Sequence, residues 1–244
     1  MLSKHQIKLI KSLNQKKYRQ QLSLFIVEGV KGINEFLNSD FKLHNLYTTK
    51  SIFDAPKNLT IEISETELKK ISSLKSPNTA LAVFKIPDAL EINKEALIIA
   101  LDDVRDPGNL GTIIRLCDWY GVKDLVCSFN TVDCYNPKVV QATMGSLTRI
   151  NVNYLNLPDF ISSTKETVFG TFMNGENIYN TDLPKNGIIV MGNEANGISE
   201  AVQNKITRRI TIPQFGEIKE TESLNVANAT AIVLSEFKRR TIEK

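Results

Sequence analysis

Short apolar runs recur in a regular pattern from residue 97 onward. LIIAL (97–101), DLVCSF (124–129), RINVNY (149–154), TVFGTF (167–172), GIIVMG (187–192) and RRITIP (208–213) are each bounded by polar or turn-forming residues. Runs of this length with such boundaries predict strands. Most are separated by segments whose apolar positions recur at helical spacing. Asp106-Pro107 opens one such helix, which ends at Gly121; Asn136-Pro137 opens another, and Ser199 caps SEAVQNKI. A last helix, about 224–240, is apolar at Leu224, Val226, Ala227, Ala231, Val233 and Leu234. Strands alternating with helices predict a mainly parallel sheet covered on both faces.

The first ninety residues show a shorter rhythm. Ser3 begins a helix carrying Ile7, Leu9, Ile10 and Leu13, and further helices are predicted at about 30–38 and 65–72. LFIVEG (24–29), KLHNLYT (42–48), TIEIS (60–64) and ALAVFKI (80–86) read as strands. This is a small α/β unit. PDALEINKEA (87–96) turns to proline and acidic residues with few large apolar ones, the composition of a linker. Two domains are therefore expected, 1–88 and 97–244, with no internal repeat.

Composition and charge change this picture. The 244 residues carry a net charge of only +3, but residues 1–90 hold 14 Lys and Arg against 8 Asp and Glu, whereas the remainder holds 16 against 19. Lys4, Lys8, Lys11, Lys16, Lys17 and Arg19 lie in the first twenty residues with no acid among them, which suits either a solvated helix face or a patch that meets phosphates. The three cysteines, Cys117, Cys127 and Cys134, match no zinc ribbon or redox pair and read as reduced structural thiols. With His5 and His44 as the only histidines, neither a histidine-based metal site nor a triad can be built later in the chain, and no metal is expected. No run approaches the roughly 18 to 20 apolar residues of a membrane span. The N-terminal segment has no apolar core of the signal-peptide kind. A cytoplasmic protein without a membrane partner is expected.

A parallel α/β sheet offers ligands the carboxyl ends of its strands. The glycine fingerprint of dinucleotide binding, the phosphate-binding P-loop and the G-x-S-x-G nucleophile elbow are all absent from the sequence, which removes the common dehydrogenase, kinase and hydrolase readings. Three polar, glycine-containing loops follow the strands instead: DDVRDPGNLGTIIR (102–115), MGNEANGIS (191–199) and IPQFGEIKETESLNVANA (212–229). Each alone is explicable as turn chemistry. Together, at one edge of one sheet, they would bring Asn109, Arg115, Asn193, Glu194, Ser223 and Asn225 near each other.

These loops carry a resemblance. DPGNLGTIIRLCDWYGV resembles the first motif of the SpoU, or TrmH-like, branch of the SPOUT RNA methyltransferases, VMGNEANGIS the second and IPQFGEIKETESLNVANATAIVLSEF the third. Order and approximate spacing also match, so the resemblance covers about residues 97–244. The preceding unit is similar in position, size and its VEG turn to the substrate-binding domain that many members carry, which is related in shape to kink-turn-binding ribosomal proteins. Two departures stand out. Ala195-Asn196 follows Glu194 where the family commonly has glycine, and the third motif is longer by GEIKETE, close to where substrate should enter.

The resemblance implies a SPOUT-type parallel sheet with a trefoil knot, a feature essentially absent from proteins at large, preceded by a small α/β RNA-binding domain. It implies a pocket for S-adenosyl-L-methionine as co-substrate, with main-chain groups around Gly192, Ile212 and Leu224 holding adenine and ribose, and Met191, Asn193 and Thr171 beside them. Glycine at 192 would let backbone approach ligand closely. The implied reaction is methylation of a ribose 2′-hydroxyl of RNA, the two-domain arrangement favouring ribosomal over transfer RNA. Arg115 matches the family's catalytic arginine, with Asn109, Glu194, Ser223 and Asn225 as its polar surround. Because a guanidinium stays protonated, Arg115 is expected to position the hydroxyl and its adjacent phosphate through its fork of donors. Family members generally form homodimers through the knot region, and the apolar final helix and Trp119-Tyr120 offer surface for that. Rival readings are a base methyltransferase, a transfer-RNA enzyme and a non-catalytic RNA-binding or assembly protein. Ser223-Leu224-Asn225 favours ribose over base, and Asn109, Arg115 and Glu194 together weigh against mere binding.

Overall fold

The computed structural model describes residues 2–216 and 223–241. All of the GEIKETE stretch after Gly216 lies outside the described residues. The chain divides into two compact units, one of residues 1–88 with 133–148 and the other of 89–132 with 149–244. The segment Asp133–Thr148, which lies well past the linker, thus packs with the first unit.

In the first unit the elements are α1 (Lys4–Ser12), α2 (Lys16–Leu22), β1 (Leu24–Glu28), α3 (Val30–Leu37), β2 (Leu43–Thr48), β3 (Thr60–Glu62), α4 (Glu65–Ile71) and β4 (Ala80–Lys85), with sheet order β1-β4-β2-β3. Ser3 and Gln6 form a capping box at the start of α1, and Ser64 with Glu67 another at α4. The helix expected from Ser3 is α1, and a second helix, α2, which was not expected, restarts the chain after a break at Leu13–Gln15. Alternate residues of β1 serve opposite faces. Leu24 and Ile26 join Ile10, Leu13 and Leu68 in one core cluster. Phe25 points into a ring cluster with Phe36, Phe41 and Phe84, and Tyr135 from the later segment closes on it with ring centroids 4.7 Å apart.

Arg19 departs from the basic face expected of the first twenty residues. It is one of the largest fully buried side chains, its Nε donating to Asp133 Oδ2 at 2.9 Å and its Nη1 to the Leu13 carbonyl at 2.8 Å. A buried guanidinium needs such a partner. Lys4, Lys8, Lys11, Lys16 and Lys17 remain exposed.

The second unit contains β5 (Leu97–Leu101), α5 (Pro107–Trp119) and β6 (Asp124–Cys127); after the helix α6 (Pro137–Thr143), which belongs to the first unit, it continues with β7 (Asn151–Tyr154), α7 (Leu157–Ser162), β8 (Val168–Asn177), β9 (Gly187–Met191), α8 (Glu200–Gln203), β10 (Arg208–Thr211) and α9 (Val226–Arg239). All six expected strands form one sheet in the order β10-β8-β9-β5-β6-β7, and every pairing is parallel. The central strands β5 and β9 are buried along their whole length, which explains why LIIAL and GIIVM are apolar at every position rather than at alternate ones. One face is covered by Leu157, Phe160 and Ile161 of α7 and Val202 of α8. On α9, Phe237 meets Phe169 of β8 edge to face at 5.2 Å, and α9 lies against α5. β10 ends at Thr211 rather than running to 213, since Pro213 has no N–H for a ladder. Cys117, Cys127 and Cys134 are buried and unbridged. Burial, reinforced by the charge of Asp118, pushes the Cys117 thiol up to about 12, so it is no nucleophile at neutral pH. No helix among the described residues is long and apolar enough to cross a membrane.

Candidate active site

The loops after β5, β9 and β10 meet at the carboxyl edge of the sheet, and each is shaped by its own polar side chains. Asp106 caps α5, accepting the Asn109 amide at 2.8 Å, with Pro107 preset for the first turn. This holds Asn109 on the opening turn of the helix. Asn225 caps α9 through Oδ1, which accepts from the Ala227 and Asn228 amides at 3.0 and 3.2 Å.

The middle loop is a clasp. Asn193 and Gly197 exchange two backbone hydrogen bonds of 2.9 and 2.8 Å, and the Asn193 side chain accepts from the Ala195 and Asn196 amides while donating to the Asp103 carbonyl at 2.7 Å. Gly197 takes the positive φ of +67°, whereas Ala195 is not among the residues with positive φ. The alanine at 195 therefore fits this turn without strain. Asp102, at the end of β5, accepts the Ser199 amide at 2.7 Å and fastens the far side of the loop. At Gly192 the backbone closely approaches the loop itself: an added Cβ would lie 2.3 Å from the carbonyl carbon of Gly197.

Three residues from three loops join in one hydrogen-bonded chain. Asn109 Nδ2 donates to Glu194 Oε1 at 2.6 Å, and Asn225 Nδ2 donates to Asn109 Oδ1 at 2.9 Å. Beside them lies a cavity of about 740 Å³, lined by Thr171, Met191, Gly192, Asn193, Ile212 and Leu224, all six of the expected ligand-binding residues. Glu194 and Ser223 also line it. Its walls include Ile198, Ile210, Val226 and Val233, so the interior is largely apolar, with Glu194 as the charged group among its described lining. Among the described residues no three His, Cys, Asp or Glu side chains come together as metal ligands.

Arg115 stands apart. It is exposed on α5 and is not in the cavity lining. Six residues from Asn109, at roughly 100° per residue, place it about a third of a turn round the helix from that side chain. Phe172, Met173 and Gln203 also line the cavity and carried no motif that could have marked them, while Phe215 lies within the third motif but is not among the expected site residues. Asp102 had a signal: an acid closing an all-apolar strand.

Residues 96–235 match the SpoU rRNA Methylase family, and residues 4–82 match the MRM3-like substrate binding domain. Among curated proteins, the 23S rRNA (guanosine(2553)-2′-O)-methyltransferase RlmP of Bacillus subtilis is 30% identical over 233 residues, which cover 92% of each chain. A TrmH-family structure from Porphyromonas gingivalis superposes with a TM-score of 0.92 at 39% identity, covering 98% of this chain and 99% of that one. An AdoMet-bound rRNA methyltransferase from Sinorhizobium meliloti gives 0.88 at 30% identity, covering 100% and 97%.

Proposed function

The chain belongs to the SpoU rRNA methylase family, and we propose that it is a cytoplasmic enzyme transferring a methyl group from S-adenosyl-L-methionine to a ribose 2′-hydroxyl of ribosomal RNA. The observation that carries this reading is the hydrogen-bonded chain Glu194–Asn109–Asn225 beside a cavity lined by Thr171, Met191, Gly192, Asn193, Ile212 and Leu224. The cavity suits the donor. Its volume falls within the roughly 300 to 1,000 Å³ usual for small-molecule sites. Its apolar walls suit an adenine, and the Glu194 carboxylate offers the counter-charge that a sulfonium needs.

The bound donor supplies an already activated methyl group. The protein's task is to hold the hydroxyl in line and dispose of its proton. Arg115 is assigned to the hydroxyl and its neighbouring phosphate, since an exposed guanidinium offers a planar fork of donors. Glu194 is an acceptor at the cavity's edge, oriented by Asn109, while Ser223 and Asn225 complete the polar surround. Gly192, Ile212 and Leu224 bring main chain to the adenine and ribose. In this reading the segment after β10 threads an earlier loop as a trefoil knot.

The first unit is assigned to RNA binding, with Lys4, Lys8, Lys11, Lys16 and Lys17 as its phosphate-facing charge. Two copies are assigned to a homodimer, for which Trp119, 84% exposed on α5, offers apolar area, whereas Val226, Val233, Leu234 and Phe237 of α9 are buried within the chain. The test is methyl transfer from labelled donor to unmodified ribosomal RNA, in the presence of a chelator, followed by primer-extension mapping of the ribose modified. Transfer to transfer RNA alone, to a base, or to nothing would overturn the reading. Sedimentation showing a concentration-independent monomer would remove the dimer.

A further inference from the structure

Asp103, in the loop after β5, has a φ of +62°. Most side-chain-bearing L-residues avoid this conformation, asparagine and aspartate less than the rest, and glycine adopts it without steric cost. Its amide donates to Ser128 Oγ at 2.9 Å, and its carbonyl accepts from Asn193 at 2.7 Å, which ties it to the lip of the cavity. Glycine would make both of those backbone contacts. What aspartate adds is a carboxylate, and one side chain takes both of its oxygens. Arg105 Nε donates to Oδ1 at 2.7 Å and Nη2 to Oδ2 at 2.9 Å.

This fork-to-fork pairing fixes the plane of the guanidinium. Arg105 is nevertheless 68% exposed, and an exposed pair of this kind contributes little to stability. Two of the five guanidinium N–H groups are used, which leaves three for another acceptor. The arginine sits two residues from the tether to Asn193 and four before Asn109, which bonds Glu194. A carboxylate that spends both oxygens on one exposed arginine, in a loop tethered to the cavity lining through Asn193, presents that arginine to a ligand of opposite charge.

We propose that Arg105 is a second substrate-binding arginine, gripping an RNA backbone phosphate next to the target ribose, with Asp103 as the positioning residue that holds its guanidinium. The inference rests on the RNA methyltransferase reading above. Phosphate contacts of this type set register without reading bases. Loss of the contact weakens cognate and non-cognate RNA alike.

The test uses the full-length protein with an unmodified 23S ribosomal RNA transcript as probe. Arg105→Ala should raise KM for RNA about tenfold or more, the usual effect of losing a charge-assisted hydrogen bond. Donor affinity should be unchanged, and the slope of log affinity against log salt should flatten by about 0.7 to 0.9. Asp103→Gly keeps the backbone and the arginine's charge but frees the guanidinium. It should raise KM roughly two- to tenfold with the salt slope intact, and should have no further effect in the Arg105→Ala background. Should Arg105→Ala melt early, Arg105→Lys retains charge and should keep the slope while raising KM. Unchanged KM and slope in Arg105→Ala, or an Asp103→Gly effect that persists without Arg105, would make the pair a clasp of the loop and overturn the proposal. The salt slope is read without turnover, so a protein that binds this RNA but methylates none of it would sink the functional reading and leave this one standing.

Discussion

Gly192 is the position at which the geometry makes its sharpest demand. A Cβ built there lies 2.3 Å from the Gly197 carbonyl carbon, 2.5 Å from the Ile198 nitrogen and 2.7 Å from the Gly197 oxygen. All three are backbone atoms, so no rotamer change relieves the clash. Gly192→Ala must therefore spread the clasp, and the two hydrogen bonds between Asn193 and Gly197 go with it. Forced overpacking costs about 1 to 3 kcal/mol and two lost hydrogen bonds about 1 to 3 kcal/mol more, or about 2 to 6 kcal/mol together. Met191 to Ile198 line the cavity, so the same displacement should weaken donor binding by at least tenfold, which corresponds to about 1.4 kcal/mol. Gly197→Ala is the control. It meets no atom within 4 Å and is strained only by its φ of +67°, a cost of about 1 to 2 kcal/mol. Urea unfolding and calorimetric titration with the donor measure both quantities. Wild-type stability and affinity in Gly192→Ala, or a Gly197→Ala penalty as large, would refute the reasoning.

Four further outcomes are expected. Arg115→Ala should abolish methyl transfer with donor affinity nearly intact, because it removes a group needed chiefly in the transition state; single-turnover assay and calorimetry check this, and an active variant would move the role to Glu194. Asn225→Asp keeps the Oδ acceptor for the Ala227 and Asn228 amides but replaces the donor to Asn109 with a carboxylate oxygen, so turnover should fall more than tenfold while the melting temperature stays within a few degrees. Replacing Lys4, Lys8, Lys11, Lys16 and Lys17 with glutamine should flatten the salt dependence of RNA binding by roughly 2 units if about half of them meet phosphate, with no change in donor binding. Glu67 is held down to about 2 by hydrogen bonds from the Ser64 and Leu2 amides; a depressed carboxylate stabilises the fold above its unfolded pKa and loses that contribution as pH falls through the folded value, so Glu67→Gln should be less stable than the parent at pH 7 and the gap should close between about pH 4.5 and 2.

The second unit was legible wherever a segment met the same environment along its whole length. β5 and β9 are buried on both faces, so LIIAL and GIIVM are continuous apolar runs that no surface element would carry. The split between α1 and α2 was not legible, since neither glycine nor proline marks Leu13–Gln15. Nor was the fate of Arg19, whose charge suggested solvent. Its partner Asp133 is 114 residues away, and nothing local in either residue announces the other. The three site loops could be found by their turn chemistry. The bonds that unite them span 85 and 116 residues, and only the folded sheet brings those ends together.

The loop residues explain why turn chemistry and candidate-site chemistry were hard to separate, for the same side chains shape the turns and join the loops. Asn225 uses Oδ1 to cap α9 and Nδ2 to hold Asn109. Asn193 uses Oδ1 to shape its own turn and Nδ2 to tether Asp103. Asn109 is fixed by its backbone, through Asp106, and spends its whole side-chain amide on Glu194 and Asn225. An amide side chain is the residue type that allows this, because it presents an acceptor and a donor on one rigid plane. A carboxylate would supply the cap without the donor, and a serine would lack the reach to serve two loops. Each structural explanation of these loops is therefore correct and incomplete, and truncation to alanine would confound loss of the cap with loss of the site. Replacing asparagine by aspartate removes one function from an atom that the other does not use.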